Sequence, residues 1–158
     1  DEIIGGGNFQ ARLMEDIRKK RGLTYGIYSS TTPMLAQGSY TVSFSTRNQK
    51  SQEAIEATKQ VIKNTLEKGV TPNELALTKD SLINSFPTSF ASNAAMNATV
   101  GMMGFYQLPD SYLTDYVMRV QRADLNAVNQ SYKDLIDPNK FLIVTVGSAT
   151  PNTTKTAK

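Results

Sequence analysis

The chain has 158 residues, 20% of them charged, and a net charge of +3. These values are typical of one globular domain, and they argue against disorder and against a nucleic-acid-binding surface. The sequence contains no histidine and no cysteine, which excludes Ser-His and Cys-His catalysis and the usual zinc sites within this chain. No apolar run approaches the roughly 20 residues that a transmembrane helix needs. We therefore expect a soluble chain that does not insert into membranes and has no metal site or cofactor of its own.

The first predicted helix, residues 8–21, ends in a run of positive charge. Its narrow apolar stripe recurs every four positions and consists of Phe9, Leu13 and Ile17. Its last turn holds four cations, Arg18, Lys19, Lys20 and Arg21. The helix dipole favours cations at this end of a helix. This is the ordinary explanation of the basic cluster, and we favour it for Lys19 and Lys20. Gly22 then lies where a left-handed C-terminal cap is expected.

Three consecutive glycines, Gly5, Gly6 and Gly7, precede this helix. Exposed backbone N–H groups at a helix start can bind an anion or a backbone carbonyl. The three glycines are therefore candidate substrate-binding residues. A tight loop that only lets the chain turn explains them equally well. The pattern matches neither G-x-G-x-x-G nor a P-loop.

A β-hairpin and a long helix are predicted next. Residues 24–31 and 39–45 have the composition and alternation of strands, and Pro33 and Gly38 suit the turn between them. The apolar spacing over residues 51–68 then predicts a helix.

A strong helix start follows at Thr71, where Pro72 suits the first helical position and Glu74 completes a capping box. That helix is expected to run to about Ser85. Further helices are predicted over 90–106, from Pro109 onward and over 124–136. Residues 90–106 carry little charge, so we expect this helix to pack closely, with its methionines as core filler.

Residues 141–146, FLIVTV, are predicted to form a buried central strand. Together the elements predict an α+β fold with an antiparallel or mixed sheet and helices packed on one face. Three strands are few for so many helices. We therefore expect that residues 1–147 form one domain that lacks its N-terminal strands. The polar tail 148–158 is expected to be disordered.

The order of these motifs over residues 3–147 resembles the C-terminal half of M16 zinc peptidases, the pitrilysin-type family that includes the mitochondrial processing peptidase. The motifs are IIGGGNFQARLMEDIRKKRGLTYGIYSS, a hairpin, KGVTPNEL, FYQLPDSYLTDYVMRV and a closing FLIVTVG. The similarity is greatest to the bacterial zinc-protease branch. It implies two homologous halves that close around an extended peptide substrate.

The resemblance also implies different roles for the two halves. The first half of such proteins binds zinc through H-x-x-E-H, whereas the second half supplies an Arg and a Tyr that reach the substrate. Arg18 and Tyr25, seven positions apart, match this pair. The resemblance implies that both bind peptide and that Tyr25 stabilises the oxyanion, while Tyr28, on the opposite strand face, packs. Zinc is then expected in an N-terminal half or partner subunit, and this chain alone is expected to be inactive.

Two other functions are compatible with the same residues. One is a non-catalytic M16-like scaffold or peptide-binding subunit, and the other is a stand-alone binding module without a proteolytic partner. Intact Arg18 and Tyr25 favour the peptidase half over both. An H-x-x-E-H motif on the same polypeptide or on a neighbouring subunit would support the peptidase half. Its absence would support the other two functions. The bacterial resemblance favours the periplasm over the cytoplasm.

Overall fold

The computed structural model describes residues 1–7, 10–36 and 38–147 of the chain. Contacts divide the chain into two compact units. Unit 1 comprises Asp1–Thr31, Tyr40–Lys68 and the segment from Ile136 onward, and unit 2 comprises Thr32–Ser39 and Gly69–Leu135. The described residues form helices and a small two-stranded sheet, so the α+β prediction is confirmed.

The first helix of unit 1 begins at Arg12, and its turns over Met14–Lys20 are π-helical. It starts later than predicted because the preceding turn folds over its first residues. The carbonyl of Ile3 accepts the N–H of Arg12 at 3.0 Å, and the carbonyl of Ile4 accepts the N–H of Leu13 at 2.9 Å. The helix start therefore has backbone partners from outside the helix.

The apolar face of the first helix lies in the core of unit 1. Leu13, Met14 and Ile17 are buried there. Two members of the predicted stripe, Leu13 and Ile17, are thus core residues. The third, Phe9, lies outside the described residues.

An antiparallel hairpin follows, formed by β1 (Ile27–Thr32) and β2 (Ser39–Phe44). Strand β1 begins three residues later than predicted because Thr24 and its neighbours form a bend. The Thr24 hydroxyl accepts the N–H of Gly26 at 3.2 Å and lies 2.7 Å from the carbonyl oxygen of Ser45. A side-chain bond of this kind competes with strand pairing.

Helix α1 (Ser51–Lys68) completes the core of unit 1, with the boundaries that the sequence predicts. It contacts the first helix, and its buried face consists of Ala54, Ala57, Thr58, Val61, Ile62 and Thr65. The guanidinium of Arg12 donates to the Thr65 hydroxyl at 3.2 Å. Gly69 ends the helix with a φ of +72°, a left-handed conformation that glycine adopts without strain.

Unit 2 is helical. Its helices are α2 (Pro72–Ser85), α3 (Asn93–Phe105), α4 (Tyr116–Arg122) and α5 (Leu125–Leu135). The capping box is confirmed: the Thr71 hydroxyl accepts the N–H of Glu74, and the Glu74 carboxylate accepts the N–H of Thr71 at 2.7 Å. Asp124 caps α5 by accepting the N–H of Ala127 at 2.9 Å.

The helix predicted over residues 90–106 is present as α3, but the prediction that it packs closely was wrong. All thirteen residues of α3 are described, and none of them is buried. Met96, Val100 and Phe105 are 44%, 57% and 61% exposed, so Met96 is not core filler. An uncharged composition is compatible with burial, but it does not supply the surface that buries the helix.

The prediction of a buried central strand over residues 141–146 was also wrong. Within the described residues this segment pairs with no strand, and Leu142 and Val146 are 89% and 95% exposed. A strand requires a hydrogen-bonded neighbour as well as apolar side chains. The predicted disorder of residues 148–158 lies outside the described residues.

Candidate functional site

The candidate site consists of Arg18, at the end of the first helix, and Tyr25, in the bend before β1. The guanidinium carbon of Arg18 lies 5.1 Å from the centroid of the Tyr25 ring. This distance is typical of a cation–π contact. The Tyr25 side chain is 89% exposed, so the pair presents its phenol to solvent.

The chain reverses its direction at Gly22, and this reversal brings the side chains of Arg18 and Tyr25 together. Its φ is +60°, as the cap prediction requires, and its N–H donates to the carbonyl of Arg18 at 3.0 Å. The N–H of Leu23 donates to the carbonyl of Ile17 at 3.0 Å, and the Leu23 side chain is buried. The chain therefore leaves the helix in a fixed direction.

The bend that carries Tyr25 is held by the two residues that follow β2, Ser45 and Thr46. The Thr46 hydroxyl donates to the carbonyl of Leu23 at 2.5 Å, and Thr24 is buried with its hydroxyl beside the Ser45 carbonyl. The backbone on both sides of Tyr25 is thus hydrogen-bonded, at Leu23 before it and at Gly26 after it. Thr24 and Thr46 position the site, and sequence analysis missed them because nothing in the local pattern shows which residues face each other across the hairpin.

The neighbouring cations have structural partners. Lys19 lies 2.8 Å from the Glu15 carboxylate and Arg21 lies 2.5 Å from that of Asp16. The hydrogen bond from Lys19 holds the pKa of the Glu15 carboxyl below its usual value. Lys19 thus has an acidic partner on its own helix, and the helix-dipole explanation of the cluster stays a prediction.

Tyr28 does not pack in the core. It is 49% exposed, and its ring lies over Gly26, where an added Cβ would be 3.1 Å from the ring. The buried residues of β1 are its neighbours Ile27 and Ser29. Tyr28 therefore points outward, beside a glycine that leaves room for its ring.

The glycine turn lies against β1. The carbonyl of Gly5 accepts the N–H of Ser29 at 2.8 Å, and the N–H of Gly5 donates to the carbonyl of Asp1 at 3.1 Å. A Cβ at Gly5 would lie 2.6 Å from the Ser29 hydroxyl, and one at Gly6 would lie 2.5 Å from Glu2. Gly7 is exposed. The Gly5 bonds go to its own turn and to β1 rather than to Arg18 or Tyr25, so the structure supports a close-packed turn here.

The residues of this chain do not fit a zinc site. The whole sequence lacks His and Cys, and no three acidic side chains are grouped within the described residues. Among those same residues, no helix is both long and apolar enough to cross a bilayer.

Comparison with known proteins decides the family. The model of the peptidase M16 inactive domain matches residues 1–82, which is half of the chain. The chain belongs to the peptidase M16 inactive-domain family. The resemblance that the sequence motifs indicate is thereby confirmed.

The relatives of this M16 domain include proteins of several bacteria. The solved structure of a peptidase M16 inactive domain from Pseudomonas fluorescens matches with a TM-score of 0.80 and 39% identity, over 88% of this chain and 33% of that one. The Helicobacter pylori protein named non-peptidase homolog YmxG is 27% identical over 150 residues, which is 92% of this chain and 34% of that protein. This chain therefore spans about a third of the length of either relative.

A more distant structure shares the fold. The periplasmic protease PqqL from Escherichia coli matches with a TM-score of 0.64 and 19% identity, over 77% of this chain and 14% of that one. Identity at this level shows the fold alone. The geometry of Arg18 and Tyr25 therefore has to be interpreted from this chain's own structure.

Proposed function

We propose that this M16 domain is the substrate-binding half of a zinc endopeptidase, in which Arg18 binds the peptide and Tyr25 binds it and stabilises the oxyanion. The observation that carries the proposal is the contact between the Arg18 guanidinium and the ring of Tyr25, whose side chain is 89% exposed. A large aromatic side chain held in water beside a cation is available for contact with a ligand.

The two side chains differ in the interactions they offer. The Arg18 guanidinium has a planar set of donors that suits carbonyl oxygens of an extended peptide. The Tyr25 hydroxyl is a single donor that can meet one oxygen. If that oxygen belongs to the scissile carbonyl, the hydrogen bond strengthens as negative charge develops on it.

The backbone around the pair suits this role because it is held rigidly. Gly22 fixes the end of the helix, and the hydroxyls of Thr24 and Thr46 bond the bend to the segment that follows β2. Donors that are already in place when charge develops need no reorganisation during the reaction.

The remaining functions belong to other parts of the proposed enzyme. Zinc and the general base are proposed for a zinc-bearing N-terminal half or a partner subunit, because the residues of this chain fit neither role. A periplasmic location is part of the proposal, since the family includes bacterial proteins and a protein of the same fold is a periplasmic protease.

The alternative function is a non-catalytic scaffold or peptide-binding subunit. It is favoured by one observation, the name non-peptidase homolog of the relative from Helicobacter pylori. In a scaffold, Arg18 and Tyr25 have no role in peptide binding, and only the surfaces that contact other chains matter.

Peptide binding by the chain tests the proposal directly. We expect a short, labelled, uncharged peptide to bind in fluorescence anisotropy titrations. Arg18→Ala should weaken this binding by about tenfold or more, the loss expected for one charge-assisted hydrogen bond. Lys133→Gln, which removes an exposed cation from α5, is the matched control and should leave the affinity unchanged. Equal affinities for all three proteins would support the scaffold instead.

A further inference from the structure

The positive charge of the chain is concentrated around the Arg18–Tyr25 pair. Residues 14–47 contain five basic and two acidic side chains, a net charge of +3 that equals the net charge of the whole chain. Between Arg21 and Arg47 the sequence has no charged residue at all. The cations of this region are therefore confined to the helix end before the bend and to the residue that follows Thr46.

Two of these cations form no salt bridge with the acids of the region, although the positive charge of Lys20 contributes to the lowered pKa of the Glu15 carboxyl. Glu15 and Asp16, the acids of the region, pair with Lys19 and Arg21. Lys20 and Arg47 are exposed, and neither forms an ion pair within residues 1–7, 10–36 and 38–147. We call Lys20 and Arg47 the basic rim.

The basic rim lies close to the candidate site along the chain and across the hairpin. Lys20 is two residues from Arg18 in the last turn of the first helix. Arg47 directly follows Thr46, whose hydroxyl bonds to the carbonyl of Leu23, two residues before Tyr25. Both cations are thus neighbours in sequence of residues that form or hold the site, and the two acids of residues 14–47 are already paired.

We infer that the site selects peptides that carry carboxylates, with the basic rim as the determinant of this specificity. The inference rests on the proposed function, because it assigns a substrate class to the same site. The rim adds two exposed positive charges to the charge of Arg18. Exposed charges of this kind steer a charged ligand and raise its affinity modestly, and salt screens the effect.

Three matched peptides test the inference. They share one short, unstructured sequence and one label, and they differ only in a pair of residues that are both Glu, both Gln or both Lys. At low salt we expect the Glu peptide to bind about fivefold more tightly than the Gln peptide, as two exposed ion pairs would allow. The Lys peptide should bind more weakly than either. Raising the salt from about 0.1 M to about 1 M shortens the screening length from about 10 Å to about 3 Å and should remove the difference.

Variants of the rim connect the preference to these residues. Lys20→Ala and Arg47→Ala should each reduce the ratio of Glu-peptide to Gln-peptide affinity, and the double variant should reduce it further, to the preference that Arg18 alone produces. Their affinity for the Gln peptide should stay at the wild-type value, because Arg18 and Tyr25 are intact. Lys133→Gln should keep the full preference.

The outcomes separate the inference from the proposed function. If the Glu and Gln peptides bind equally and Arg18→Ala weakens both, the site binds peptide but the inference is wrong. A preference for Glu that is undiminished in the double variant also overturns the inference, because Arg18 or another surface then causes all of it. If no peptide binds, both the inference and the proposed function fail.

Discussion

Replacement of Tyr25 by Phe removes one hydroxyl from the proposed site and little else. In the enzyme assembled with its zinc-bearing half, we expect kcat to fall by about 100-fold, the usual cost of one oxyanion donor. KM should change by less than about twofold, because the hydrogen bond is weaker in the ground state than in the transition state.

The structure predicts that this substitution leaves the fold and the position of Arg18 unchanged. The Tyr25 side chain is 89% exposed, and within the described residues its hydroxyl has no hydrogen-bond partner. The phenyl ring of Phe can keep the contact with the guanidinium, which now lies 5.1 Å from the ring centroid. We therefore expect an unchanged Tm, so that a loss of kcat reports the hydroxyl alone.

The assay is steady-state cleavage of one peptide by the wild type, Tyr25→Phe and Tyr28→Phe. Tyr28 is the control because it is a second exposed phenol on the same chain, 49% exposed and next to Gly26. Tyr28→Phe should match the wild type. Wild-type kcat for Tyr25→Phe, or a large loss for Tyr28→Phe, would refute the assignment of the oxyanion donor.

Four further predictions follow from the same structure. Arg18→Lys should raise KM as well as lower kcat in the assembled enzyme, because lysine keeps the charge but loses the planar donors. Gly22→Val should lower the free energy of unfolding by about 1 kcal/mol or more in denaturant titrations, since the φ of +60° strains a β-branched residue; Gly22→Asn should cost less. Gly5→Ala should cost about 1–3 kcal/mol by overpacking in the same titrations, because its Cβ would lie 2.6 Å from the Ser29 hydroxyl; an unchanged Tm would contradict the close packing. Calorimetric titration of the isolated chain should show no stoichiometric, submicromolar zinc site, since the sequence has no His or Cys.

Local features of this fold could be predicted from the sequence. Helix α2 begins at Pro72 and ends at Ser85 as predicted, since Thr71 and Glu74 satisfy each other's backbone groups within one helical turn. Gly22 adopts the predicted left-handed conformation because it caps the end of a helix, and this requirement arises within a single helix. Such features depend on contacts between residues close together in the chain.

The pairing of Arg18 with Tyr25 was only partly predictable. The resemblance to M16 peptidases identifies the two residues, and the Gly22 cap shows that the chain turns back between them. The bend that exposes Tyr25 depends on Thr24 and Thr46, whose hydroxyls bond across the hairpin to residues about twenty positions away in the sequence. No local pattern specifies such partners.

Burial of the apolar segments was decided by tertiary structure alone. Residues 141–146 and helix α3 are apolar or uncharged in sequence, yet Leu142 is 89% exposed and no residue of α3 is buried. Apolar composition determines how much free energy burial would release. Which side chains are buried depends on the surfaces that the fold brings against them, and the described residues leave Leu142 and every residue of α3 outside the core.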